Sequence, residues 1–203
     1  MSDGLSNKQA YRKPKLCVSG AAATTHCGSD ATEKAKELGR QIALQGGILL
    51  TGATTGFPFW AAAGAKEAGG VVIGFSPASG EREHKDVYRL PLEYHDLIIY
   101  TGFGYAGRDL LLTRSADAVL IGCGRIGTVH EFTIAFEDGK PIGVLEGSWE
   151  MDETLREMIA RSHRKAEHVV FSKTPESVVA DTLALVERER IQGVPEFSYR
   201  RFE

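Results

Sequence analysis

Gly122-Cys123-Gly124-Arg125-Ile126-Gly127-Thr128-Val129-His130-Glu131 sets a glycine-rich turn between an apolar run, Ala118 to Ile121, and a helix-like segment, Phe132 to Glu137. A strand, a glycine turn and a helix in that order present backbone N–H groups to a phosphate. Gly124, Gly127 and Thr128 are the expected cradle, acting through backbone N–H groups and one hydroxyl. Glu131 adds a carboxylate, expected in the first turn of the helix. The helix dipole there favours the ionised form by about 0.3–1 kcal/mol. Upstream, Arg108 supplies a guanidinium whose fork fits either a phosphate or the Glu131 carboxylate. Three further turns are rich in Gly, Ser or Thr: Ser19 to Ser29, Thr51 to Phe57 and Thr101 to Gly107. They offer Gly20, Gly52, Thr54, Thr55, Gly102 and Gly104 as ligand-binding candidates.

These turns need a scaffold, and the sequence supplies one by alternating strand and helix patterns. Short apolar strands are predicted at Leu16 to Val18, Ile48 to Leu50, Val71 to Phe75, Leu97 to Tyr100, Ala118 to Ile121, Ile142 to Leu145 and His168 to Phe171. Helices are predicted from Ala31 to about Gln45, opened by an Asp30/Glu33 capping box, and over Phe59 to Ala68, Arg108 to Ser115, Met151 to Ser162 and Pro175 to Arg190. Residues 78 to 93 read as a charged, irregular loop. Non-alternating strands separated by helices imply a parallel sheet covered on both faces. The expected fold is α/β, a doubly wound, Rossmann-like parallel sheet of about seven strands in a single domain. Its expected limits are 15–192, with an N-terminal segment 1–14 and a C-terminal tail 193–203. Ligands on such sheets bind beyond the carboxyl ends of the strands, where all four turns fall.

Composition narrows the function classes. A net charge of −3 without a basic block disfavours nucleic acid as a partner. Residues 41–65 lack Asp, Glu, Lys and Arg, but their glycines, Pro58 and polar residues argue against a membrane span. The N-terminal stretch lacks the apolar core of a signal peptide, so a soluble, cytoplasmic protein is expected. Cys17, Cys27 and Cys123, odd in number and without C-x-x-C spacing, point to a reducing compartment and no disulfide framework. His26-Cys27 lacks a second pair at ligand spacing, so it reads as loop and no metal is expected. Cys123 reads as a small loop residue. Phe57, Phe59 and Trp60 read as packing residues rather than a base-stacking platform.

Gly107-Arg108-Asp109, Arg114-Ser115-Ala116-Asp117-Ala118 and the 122–131 turn together resemble the Lonely Guy (LOG) family, also called lysine decarboxylase-like. The family hallmark, P-G-G-x-G-T-x-x-E, reads here Cys123-Gly124-Arg125-Ile126-Gly127-Thr128-Val129-His130-Glu131. The resemblance runs from about Leu16 to Leu145, with weaker matches at Ser19-Gly20 and Thr51-Gly52. Thr101-Gly102-Phe103-Gly104 looks closer to a related branch of nucleotide-binding and molybdenum-cofactor carrier proteins.

The resemblance implies a homodimer or higher homo-oligomer that hydrolyses a purine nucleoside 5′-monophosphate to free base and ribose 5-phosphate. Arg108 and Glu131 would be the catalytic pair, and Gly124, Arg125, Gly127 and Thr128 the phosphate site. No cofactor is implied. N-glycosidic cleavage passes through an oxocarbenium-like state that a carboxylate stabilises. The alternative is a non-catalytic binding or carrier protein for a phosphorylated ligand such as a nucleotide or the molybdenum cofactor. Two departures bear on the choice: Cys123 replaces the motif proline, and Arg125 replaces its second glycine. At a backbone position with φ > 0, a non-glycine residue costs roughly 1–2 kcal/mol. The Arg125 cation either adds a phosphate contact or fills the ribose pocket. Lysine decarboxylation has no support, because no lysine stands in a pyridoxal-phosphate context. The helices near Phe59–Ala68 and Thr128–Phe136 are the expected subunit contact surfaces.

Overall fold

A computed structural model describes residues 13–192; the predicted terminal segments fall outside them apart from Lys13 and Pro14. Seven strands alternate with seven helices in these residues. The strands are β1 (Lys15–Ser19), β2 (Ile48–Thr51), β3 (Val72–Ser76), β4 (Leu97–Tyr100), β5 (Ala118–Ile121), β6 (Ile142–Leu145) and β7 (Val169–Ser172). The helices are α1 (Ala31–Leu44), α2 (Phe57–Glu67), α3 (Glu81–Asp86), α4 (Gly104–Ser115), α5 (Ile126–Glu137), α6 (Met151–Arg161) and α7 (Pro175–Gln192). All pair in parallel in the order β4-β3-β2-β1-β5-β6-β7. The chain is therefore a doubly wound, Rossmann-like α/β domain. Its strand order reverses between β1 and β5, which opens a crevice where their following loops diverge.

The central strands are apolar on both faces, as coverage by two helical layers requires. Every residue of β5 and β6 is buried. On α1 the predicted stripe of Ala31, Ala35, Leu38 and Ile42 faces inward, joined by Gly39. A Cβ on Gly39 would run into the Ala61 backbone, and one on Gly64 into the Lys36 backbone. The two glycines thus let α1 and α2 cross backbone to backbone. This crossing consumes α2: Phe57, Pro58 and Ala61 through Ala65 are all buried within the chain. Phe59 and Trp60 on the same helix are only partly buried. Large exposed apolar side chains lie on β4 and α4, at Leu97, Ile99, Tyr105, Leu110 and Leu111, and at the start of α5, at Ile126. No helix of the described residues is long and apolar enough to cross a membrane.

Three local expectations are corrected. The stretch expected to be irregular contains α3, anchored by His84, which is fully buried; Ser76 Oγ lies 2.8 Å from its Nδ1 and the Pro91 carbonyl 3.0 Å from its Nε2. The Asp30 capping box does not form. Asp30 has helical dihedrals and makes no cap bond, and its carboxylate pairs with Lys34 at 3.0 Å instead. Finally, α4 and α5 each begin earlier than predicted, which moves Arg108 and Glu131 a full turn inside their helices.

Candidate functional site

The loops after β1, β2 and β5 and the first turns of α4 and α5 enclose a cavity of about 310 Å³ at the β1/β5 crevice. That volume is near the lower end of ligand pockets, about 300–1,000 Å³. Of the expected site residues, Gly20, Gly52, Thr54, Arg108, Arg125, Gly127, Thr128 and Glu131 line it. Thr55, Gly102, Gly104 and Gly124 do not. Thr55 is exposed and its hydroxyl donates to the Ala22 carbonyl at 2.9 Å. Gly102 and Gly104 have φ of +70° and +64°, and their N–H groups donate to the carbonyls of Ala78 and Pro77, tying the β4–α4 turn to the end of β3. Gly124 is needed for packing, since a Cβ there would strike the Thr128 side chain.

The floor of the crevice rests on Phe57, which is fully buried. Cβ atoms on Gly20 or Gly122 would collide with it, and its ring meets Trp149 edge-on at 6.1 Å between centroids. Phe57 is a packing residue, as its sequence context indicates.

One wall is an internally paired network. Arg108, 6% exposed, donates through Nη1 to the Gly52 carbonyl and to the Phe75 carbonyl at 3.2 Å, and through Nε to Asp109 Oδ1 at 2.8 Å. Its Nη2 has no protein acceptor among the described residues. Asp109 Oδ2 lies 3.0 Å from His130 Nδ1. Asp109 is therefore a buried bridge between the Arg108 guanidinium and the His130 ring. His130 is half exposed and serves Asp109. Tyr105 covers the Arg108 guanidinium, with its ring centroid 5.7 Å from Cζ.

Behind this wall stands Glu131, also buried, accepting a hydrogen bond from Ser19 Oγ. Burial chiefly, and the neighbouring Asp109 charge next, push its carboxyl up to about 7, against smaller opposing effects of Arg108 and Ser19. The expectation that the α5 dipole keeps Glu131 ionised is corrected. The residue lies beyond the first turn, where the dipole has faded, and desolvation wins.

The opposite wall is open. Arg125 is the N-cap of α5, with φ −136° and ψ −159°, extended backbone that any residue adopts. Its replacement of the motif glycine therefore carries no left-handed strain. No side chain caps α5, so the N–H groups of Ile126, Gly127 and Thr128 lack a protein acceptor among the described residues. Arg125 and Gly127 are exposed, and nothing lies within 4 Å of a Cβ built on Gly127. Uncapped N–H groups, the helix dipole and a solvent-facing guanidinium are the chemistry that suits an anion.

A disulfide joins Cys27 to Cys123, with Cα atoms 5.6 Å apart. This overturns the expectation that the cysteines form no disulfide and that Cys123 is a bystander. The pair is 96 residues apart in sequence, so no spacing rule reveals it; it forms because β1 and β5 are neighbours. Val18, Ala21 to Ala23, Pro58, Tyr105 and Asp109 line the cavity without having been anticipated. Only Asp109 carried a signal, as an acidic residue beside Arg108.

A model of the family described as LDcluster4, SLOG cluster4 family, matches residues 13–179. An uncharacterized protein of Archaeoglobus fulgidus is 30% identical over 132 residues, 65% of this chain and 82% of that protein. Among solved structures, the molybdenum cofactor carrier protein of Chlamydomonas reinhardtii is similar, at 29% identity and a TM-score of 0.69, covering 87% of this chain and 99% of that one. The molybdenum cofactor binding protein of Rippkaea orientalis is similar at 28% identity and a TM-score of 0.68, covering 86% and 98%.

Proposed function

The chain belongs to the SLOG cluster4 family, and on that footing we propose that its β1/β5 cavity binds a small phosphorylated ligand without turning it over, as a binding or carrier protein. The observation that carries the reading is the division of labour in the cavity. An uncapped helix start and the exposed Arg125 face the opening, while Arg108 Nε and Nη1 are engaged by protein acceptors. In this reading, N–H groups of Gly127 and Thr128 and the Arg125 guanidinium hold a phosphate, and Arg108 Nη2 adds one donor. Glu131 in its neutral form tolerates the anion, and an incoming phosphate raises its proton affinity further. The two solved relatives named for molybdenum-cofactor binding favour a pterin-linked phosphate as the cargo, with a nucleotide as the other candidate. The protein forms a homo-oligomer through α4 and β4, which together expose Leu97, Ile99, Tyr105, Leu110 and Leu111.

Mass spectrometry of ligand released from the purified protein tests this. A pterin phosphate or an intact nucleotide supports it. Free base and ribose 5-phosphate accumulating from added nucleoside monophosphate overturn it.

One observation favours the hydrolytic reading. A carboxyl that titrates near 7 is suited to general acid–base work at neutral pH. Phosphoribohydrolase action would use Glu131 at the glycosidic bond, with Arg108 as its partner. Base release from a panel of monophosphates, abolished by Glu131→Gln, would establish that reading in place of the first.

A further inference from the structure

His26, Cys27 and Cys123 meet where the loop after β1 touches the loop after β5. Their ligating atoms all lie within 4.8 Å of one another, and they are the one such His/Cys/Asp/Glu group among the described residues. His26 Nε2 is 3.7 Å from Cys27 Sγ and 3.5 Å from Cys123 Sγ. A tetrahedral zinc ion, with Zn–S of about 2.3 Å and Zn–N of about 2.0–2.1 Å, separates each sulfur from the nitrogen by about 3.6 Å. Two edges of that tetrahedron are thus already in place. The third needs the sulfurs about 3.8 Å apart once the disulfide is opened. Cα atoms 5.6 Å apart allow this by side-chain rotation. Both loop backbones are pinned, by Ala21 N–H to the Cys123 carbonyl at 2.8 Å and Cys27 N–H to the Thr24 carbonyl at 2.9 Å. The cysteines are fully buried and His26 is exposed, so an ion enters from the histidine side and keeps a fourth position toward solvent.

We propose that reduced Cys27 and Cys123, with His26, form a three-ligand site for a borderline-soft divalent ion of the zinc class, and that the ion and the disulfide are alternative occupants of one place. Two thiolates and a neutral imidazole suit such an ion and match its charge. Arg125 Nη2 lies 3.1 Å from His26 Nδ1, so Nδ1 now accepts and Nε2 carries the ring proton. Coordination takes the Nε2 lone pair and moves the proton to Nδ1. Arg125, a donor only, then loses this bond, which frees its Nη2 at the cavity rim it already lines.

The test uses the full chain and metal alone, with no phosphorylated ligand, so its outcome is independent of the cargo. A tertiary phosphine opens the disulfide: phosphorus takes oxygen from water, and two thiols form. Zinc then displaces both thiol protons as two Zn–S bonds form. Zinc titrated against a colorimetric chelator, and cobalt(II) as a spectroscopic probe, read the site. The reduced protein takes up one equivalent, and cobalt gives thiolate charge-transfer absorption with tetrahedral visible bands. Protein re-oxidised with glutathione disulfide takes up none. His26→Ala weakens zinc at least ~10-fold and alters the cobalt spectrum. Cys17→Ser, changing the buried free thiol, leaves both unaltered. Reduced protein that binds no more zinc than oxidised protein overturns the proposal. So does a His26→Ala protein with wild-type affinity and spectrum, and because that side chain is exposed the variant tests the site even where cysteine variants fail to fold.

Discussion

Two arginines face one cavity from opposite walls, and they differ in what already holds them. Arg108 is buried, and protein acceptors engage its Nε and Nη1. Arg125 is exposed, and among the described residues its one hydrogen-bond partner is the ring of His26. By residue type both are phosphate grips. By environment, Arg108 is first a strut that joins the ends of β2 and β3 to α4, and Arg125 is the available cation. A guanidinium's usefulness to a ligand depends on how much of its donor set the fold has left over.

The comparison breaks most visibly at Arg108. Arg108→Ala leaves the buried Asp109 carboxylate with His130 alone and takes a charged donor from the Gly52 and Phe75 carbonyls, and is expected to cost about 3–5 kcal/mol. Urea denaturation measures it. Unchanged stability with lost ligand binding would make Arg108 a grip after all.

Next in size is the pH response of Glu131. The unfolded chain ionises this carboxyl near 4.5 and the folded chain at about 7. Between these values the folded state holds a proton that the unfolded state has lost. Stability therefore falls as pH climbs through that window, by about 3 kcal/mol in all. Glu131→Gln removes this slope. Denaturation midpoints at a series of pH values, compared between wild type and variant, decide it; identical slopes would place Glu131 in a wetter setting.

Smallest on the stability axis is Arg125→Ala, expected within about 0.5 kcal/mol of wild type as an exposed change. Its effect belongs on affinity, where loss of one charged hydrogen bond weakens a phosphorylated ligand roughly 10- to 100-fold. Calorimetric titration with the ligand identified by mass spectrometry reads it directly. Equal affinity would shift the anion contact to the α5 N–H groups alone.

The sheet was legible because each strand is a short apolar run bounded by glycine or polar residues, and helices fill the gaps. The Gly122–Glu131 turn announced a site for the same reason, through residue types adjacent in sequence. What stayed illegible depends on burial or on distant neighbours. The α3 segment, Glu-Arg-Glu-His-Lys-Asp, shows no apolar stripe, and its single buried residue is a histidine. Glu131 reads as a charged helix residue; only the packing of α5 on the sheet strips its water and raises its proton affinity. The bond between Cys27 and Cys123 follows from the pairing of β1 with β5, a property of strand order that local spacing does not encode.

The Phe57 ring leaves an imprint on which substitutions this lineage can accept. A methyl group at position 122 meets the ring tip, so a smaller side chain at 57 would make alanine there tolerable; the two sites must drift together. Position 20 has no such escape. Its would-be methyl meets the Cβ of residue 57 itself, an atom every replacement but glycine retains, so that site stays bare whatever the ring becomes.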